Sequence, residues 1–307
     1  MSEPAADWVP YRLEYRGQWL CRWFSRAGRR YAEPFFEETV TRCLGEPPNG
    51  DAYPSLSSLD FLEHAAGLID PVPPTAFIFH VSRCGSTLLA QLLGLDPRHI
   101  VLSEAPLIDA LLRLPMKDAL PGHGRMVQAA ISLLGNRRFG EQRLFVKLDS
   151  WHVRYAGLLR ELYPDTPFIL LTRAPQDVLR SQRAQRGTHA VPGLLEPELF
   201  GMQQGEVVGD ADAWLGRVLT YYYARFAELA VDRRNLLLDY RLGAEDMMSR
   251  LARHLGMEID ASMLENIRER CRFHSKRPGS AFCEVPQQGT LPGCLEAAEA
   301  QYRRLGF

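Results

Sequence analysis

An apolar run, Phe77-Ile78-Phe79, passes through His80-Val81 into Ser82-Arg83-Cys84-Gly85-Ser86-Thr87-Leu88-Leu89. A buried strand feeding a small, hydroxyl-rich turn that opens a helix aims backbone N–H groups at one point, which is how a chain holds phosphate or sulfate. Set against the ATP-type loop G-x-x-x-x-G-K-[ST], His80 stands at the first glycine and Ser86 at the lysine. That cradle is therefore broken at both diagnostic positions, and an ordinary nucleoside triphosphatase is disfavoured. What remains is Arg83 inside the loop, Gly85 for close backbone approach, and the Ser86 and Thr87 hydroxyls at a helix start. A forked guanidinium beside a helix N-terminus suits a compact tetrahedral anion.

A second constellation follows another apolar run, in Thr172-Arg173-Ala174-Pro175-Gln176-Asp177-Val178-Leu179-Arg180-Ser181. Pro175 fits the first turn of a helix. Arg173 would leave a strand tip, and Ser181, about two helical turns along, could present its hydroxyl to the same anion. Alone, Arg173 reads equally as a surface ion pair.

Together these two stretches resemble the sulfotransferases that use 3′-phosphoadenosine 5′-phosphosulfate (PAPS). The first is similar to their R-S-G-[ST]-[ST] loop for the 5′-phosphosulfate, with Cys84 in place of the usual serine. The second is similar to their 3′-phosphate motif R-x-P-x-D-V-x-x-S, with the same eight-residue interval between Arg173 and Ser181. The resemblance spans residues 75–280 and implies cofactor contacts from Arg83, Cys84, Gly85, Ser86, Thr87, Leu88, Arg173 and Ser181. It implies three more from Tyr240, after Leu236-Leu237-Leu238-Asp239, and from Lys276 and Arg277 in a late basic loop. Lys147, ending Leu144-Phe145-Val146, falls where the family stabilises the leaving group.

In-line sulfuryl transfer needs donor and acceptor held in line, charge stabilised on the transferring and leaving oxygens, and a base for the acceptor proton; it needs no metal. Glu104, in Ser103-Glu104-Ala105-Pro106 and 21 residues after Arg83, resembles the glutamate base of the tyrosylprotein members. Its other reading is dipole support for the following helix. Asp149 is the second choice, at the position where cytosolic members carry histidine, and His152 the third. His80, on an apolar strand, reads as a packed core residue.

These residues need a scaffold of alternating strands and helices. Short apolar strands are expected at 76–81, 100–103, 143–147, 167–172 and 235–239, and helices near 86–94, 105–113, 124–135, 151–163, 175–186, 211–232, 244–256 and 261–273. Such alternation makes an α/β fold with a central, mostly parallel sheet covered on both faces. With the resemblance it implies a three-layer, P-loop-like domain over 75–307. Residues 1–70 form an extension without an assigned role, containing a hairpin around Arg16-Gly17-Gln18, a helix from Pro34-Phe35-Phe36 and a helical pattern over 56–68. Residues 187–210, with five glycines and two prolines, and residues 274–292 are long loops, the first lid-like or a surface insertion, the second closing on the cofactor. In helix 211–232, Trp214, Tyr221, Tyr222 and Tyr223 line a pocket or pack.

With 36 Lys and Arg against 37 Asp and Glu, the formal charge of the 307-residue chain is −1. No basic field argues for nucleic acid or an anionic membrane, so any anion is gripped locally. Six scattered cysteines, no apolar signal core and no membrane-length apolar run point to a cytoplasmic protein. The expected partner is a small-molecule or peptide acceptor bearing a hydroxyl, phenol or amine, and an oligomer stays open. Two other readings also stay open: a divergent P-loop kinase, which would need magnesium and a phosphate-binding lysine, and a non-catalytic module binding PAPS or its product 3′-phosphoadenosine 5′-phosphate (PAP).

Overall fold

The computed structural model describes residues 7–50, 54–116, 122–206, 209–273 and 291–307. In chain order the strands and helices are β1 (Trp8–Tyr15), β2 (Trp19–Ser25), α1 (Phe36–Leu44), β3 (Ser55–Ser58), α2 (Asp60–Ala66), β4 (Pro74–His80), α3 (Ser86–Leu93), β5 (His99–Ser103), α4 (Pro106–Arg113) and α5 (His123–Leu134). They continue with β6 (Arg143–Lys147), α6 (Ala156–Leu162), β7 (Phe168–Thr172), α7 (Pro175–Ala184), α8 (Ala211–Leu229), β8 (Leu236–Asp239), α9 (Gly243–His254), α10 (Ala261–Cys271) and α11 (Glu296–Arg304).

Five strands form a parallel sheet in the order β5-β6-β4-β7-β8. The registers place Ser103 opposite Lys147 and Thr172 opposite Asp239, at the strands' carboxyl ends. Phe77, Ile78, Phe79, Phe145, Ile169 and Leu170 are fully buried, as expected of short continuous apolar strands covered on both faces. This is the α/β fold expected from the alternating pattern.

The chain gathers into two compact units. The first comprises Met1–Phe77, Ala90–Leu148 and Leu158–Pro164. It carries the antiparallel sheet β1-β2-β3, with α4 and α5 against β1 and α2 against α5. The hairpin turns where expected, with the Arg16 N–H donating to the Gln18 carbonyl at 2.9 Å. The periodicity over 56–68 divides, however, and only its second part is helical. Ser55–Ser58 pairs with β2, and the Trp23 indole N–H donates to the Ser57 hydroxyl at 2.8 Å, so tertiary pairing overrides the helical spacing there.

The second unit comprises Ile78–Leu89, Asp149–Gly157 and Asp165–Phe307. At its centre α8 buries Trp214, Val218, Leu219, Tyr222, Tyr223 and Phe226. A methyl group on Gly216 would lie 2.0 Å from the Cys294 carbonyl oxygen, so this helical glycine lets the turn before α11 seat on α8. The segment expected as a helix over 151–163 starts as a 3₁₀ turn, Ser150–Tyr155, before α6. Residues 187–206 contain two short 3₁₀ turns and bury His189, Ala190, Leu199 and Phe200, so this part of the long loop is packed.

Candidate active site

The loop between β4 and α3 is held in a left-handed conformation. Ser82, Arg83 and Gly85 have φ of 66°, 51° and 82°, and two of them are not glycine, which costs conformational energy that tertiary contacts must offset. Those contacts are visible within the second unit. The Val81 N–H donates to the Leu171 carbonyl at 3.2 Å, and the Ser82 N–H donates to His80 Nδ1 at 3.1 Å. His80 is thus a buried loop support, as its apolar setting suggests. Gly85 faces the Tyr240 ring so closely that a Cβ would sit 2.8 Å from two ring carbons.

The two motifs converge. Arg83 Nε donates to Ser181 Oγ at 2.8 Å, and Arg173 Nη1 donates to the Arg83 carbonyl at 2.9 Å. The Arg173 guanidinium carbon lies 4.5 Å from the centre of the Tyr240 ring, a cation–π arrangement that fixes its plane. Arg173 is 7% exposed. The Tyr223 hydroxyl donates to its carbonyl at 2.6 Å, so an α8 aromatic supports the motif from below. Burial raises the pKa of Tyr240, while the Arg173 charge lowers it. Ser86 and Thr87 are buried at the start of α3, and Cys84 is fully buried. The Cys84 thiol therefore packs in the core.

In the first unit, Lys147 Nζ is ion-paired with the Glu104 carboxylate, and the Glu104 N–H donates to the Lys147 carbonyl at 2.8 Å. The Lys147 side chain is fully buried and that of Glu104 is 24% exposed. A buried ammonium requires a counter-ion, and Glu104 provides it. Glu104 has φ of 55°, in the left-handed region that favours glycine.

Asp149 and His152 have local work in the second unit. They cap the 3₁₀ turn reciprocally, with the Asp149 N–H donating to His152 Nδ1 at 3.2 Å. Lys276 and Arg277 lie outside the described residues. The neighbouring Arg268 pairs with Glu245 at 2.9 Å on an exposed face.

Two contributors escaped sequence reading. Phe35, before α1, places its ring 5.3 Å from Lys147 Nζ; the Pro34-Phe35-Phe36 aromatic pair was the only signal. Gln182 is fully buried. Its amide donates to Ser82 Oγ at 3.1 Å, its carbonyl accepts from the Gly187 N–H at 2.8 Å, and its Nε2 meets His189 Nε2 at 3.2 Å. It ties the long loop to the turn after β4. A glutamine one residue past Ser181 carries no spacing cue.

No family model matches the chain, and no curated protein matches it. Among solved structures, it is similar to a sulfotransferase domain of the Synechococcus PCC 7002 olefin synthase, with 16% identity over 78% of this chain and 96% of the other, and a TM-score of 0.47. It is also similar to the sulfotransferase STF9 from Mycobacterium avium, with 15% identity over 79% of each chain and a TM-score of 0.49. A sulfotransferase from Alicyclobacillus acidocaldarius shows 17% identity over 64% of this chain and 92% of the other, with a TM-score of 0.40.

Proposed function

We propose that the protein is a PAPS-dependent sulfotransferase that moves a sulfuryl group to a hydroxyl, phenol or amine acceptor. The observation that carries the reading is the junction of the two phosphate motifs: Arg83 on Ser181, Arg173 on the Arg83 carbonyl, and Tyr240 against both Gly85 and Arg173. Two guanidinium groups and a hydroxyl gathered from residues 83, 173 and 181 suit a bisphosphorylated nucleotide, and Tyr240 offers it an aromatic face. The cofactor contacts are Arg83, Cys84, Gly85, Ser86, Thr87, Leu88, Arg173, Ser181 and Tyr240, with Lys276 and Arg277 added from the family motif.

In the transfer, the acceptor oxygen or nitrogen forms a bond to sulfur as the bond from sulfur to the bridging phosphate oxygen breaks. Glu104 takes the acceptor proton, and Lys147 stabilises the charge gathering on the leaving oxygen. The ion pair between them suggests how the two roles are coupled. Lys147 holds Glu104 in the resting protein, and a departing phosphate competes for the ammonium as the carboxylate accepts its proton. No step requires a metal. Asp149, engaged in capping, is the weaker choice of base.

Calorimetry with PAP in the absence of metal tests the reading, followed by acceptor screening with labelled PAPS. Binding of PAP without magnesium is expected. Binding of ATP with magnesium while PAP is ignored would favour the kinase reading, and tight PAP binding without any acceptor turnover would favour the non-catalytic module.

A further inference from the structure

A different cluster in the first unit, independent of sulfuryl transfer, has donors and charge in excess of its partners. Arg26 follows β2 and is 1% exposed. Its guanidinium carbon sits 4.5 Å from the centre of the Tyr31 ring. Arg138 lies between α5 and β6 with its side chain 8% exposed. Arg26 Nε and Nη2, the Tyr31 hydroxyl, and Arg138 Nε and Nη2 are all buried without a well-formed hydrogen-bond partner.

Arg26 and Arg138 meet at Asp7, whose carbonyl accepts the Arg26 N–H at 3.1 Å and whose carboxylate pairs with the Arg138 guanidinium. Burial and the Arg26 charge lower the Arg138 pKa to about 10, and both arginines oppose the rise that burial imposes on Tyr31. The carboxylate on Arg138 is that of Asp7, whose Oδ1 takes Arg138 Nη1. Its Oδ2 already accepts from Ser25 Oγ at 2.7 Å and the Gly28 N–H at 3.0 Å. Glu141 is engaged with the backbone N–H groups of Arg138 and Phe139 at 2.9 and 2.7 Å. Glu46 pairs with Arg29, and Glu33 with Arg42. One carboxylate thus reaches the cluster, on Arg138, and among the described residues none is bonded to the Arg26 guanidinium. Water could satisfy the donors but would leave the surplus positive charge in place.

We infer that Arg26, Tyr31 and Arg138 form a buried site for a compact inorganic oxyanion, sulfate or phosphate. Planar guanidinium forks match oxyanion geometry, and the hydroxyl supplies a further donor. The anion fastens the turn after β2 to the segment before β6, and so stabilises the first unit.

Selenate is the probe, a tetrahedral dianion with an anomalous signal. Crystals of the full wild-type chain grown in chloride and soaked in selenate should show an anomalous peak touching both guanidiniums, separate from any peak at the turn after β4. At constant ionic strength the melting temperature should rise saturably with selenate. Arg138→Met should raise the midpoint about tenfold or more, and Tyr31→Phe by a few-fold. Sulfate and phosphate titrations then decide which anion is preferred. A peak only at the turn after β4, or a bromide peak in place of selenate, overturns the assignment. So does a melting response unchanged by Tyr31→Phe, which remains decisive if Arg138→Met does not fold.

Discussion

Glu104, one residue past the end of β5, is joined to Lys147, the last residue of β6, through both backbone and side chains: the Glu104 N–H donates to the Lys147 carbonyl at 2.8 Å, and the carboxylate pairs with the ammonium. The double attachment holds Glu104 in its left-handed conformation, with φ of 55°. If Glu104 is the base, Glu104→Gln should leave PAP affinity within about threefold while turnover falls on the order of 10²–10⁴-fold. Near-normal turnover in Glu104→Gln would transfer the role elsewhere, and Asp149→Asn is the comparison to run beside it.

Arg173 touches the turn after β4 through the Arg83 carbonyl and stacks on Tyr240. Removing it takes away a fixed charge and the face on which the ring rests. Arg173→Ala should weaken PAP binding by about tenfold to a hundredfold in calorimetry without metal. Arg173→Lys should recover little, because an ammonium reproduces neither the fork nor the planar stack. Ser181→Ala, which removes one hydroxyl from Arg83, should cost less than either. Unchanged affinity in Arg173→Ala would remove this residue from the phosphate grip.

Much of this site was legible because its pieces are local in sequence. Residues 82–88 and 173–181 each gather their candidate residues within one turn and one helix start, and β5, β6 and β7 are short apolar runs of strand length. Contacts set by tertiary packing were not legible. Nothing in spacing links Phe35 to Lys147 or Gln182 to Ser82. Ser55–Ser58 pairs as a strand although its apolar spacing runs on into α2, since a helical period cannot report an edge offered by β2. Arg26 and Arg138 would ordinarily be placed on the surface, because arginine is rarely buried. Only the fold shows that both are enclosed.

Gly85 combines φ of 82° with a Cβ position 2.8 Å from two Tyr240 ring carbons. Gly85→Ala therefore meets a conformational penalty of about 1–2 kcal/mol and a steric clash as well. Weaker PAP binding and a lower melting temperature are expected. Tyr240→Ala in the same chain should relieve the clash but not the backbone cost, so the two substitutions should be non-additive in a double-mutant cycle. Additive effects would mean that Tyr240 does not press on the loop.

His99 supplies a pH dependence of stability separate from catalysis. Its Nδ1 lies 2.8 Å from the Leu93 carbonyl and its ring centre 5.0 Å from that of Phe145. Burial lowers its pKa below the ordinary 6.5, outweighing the opposite pull of the Leu93 carbonyl and Asp96. The unfolded chain then binds the proton more readily than the folded one, so stability rises with pH in this window. The contribution is fully present above about pH 6.5. It is lost as pH falls from there towards the lower folded value, below which this residue adds no further slope. Denaturant unfolding measured across that range should show a slope that His99→Phe flattens, whatever the substitution does to the absolute level. An identical slope in the variant would assign the acid sensitivity to other groups.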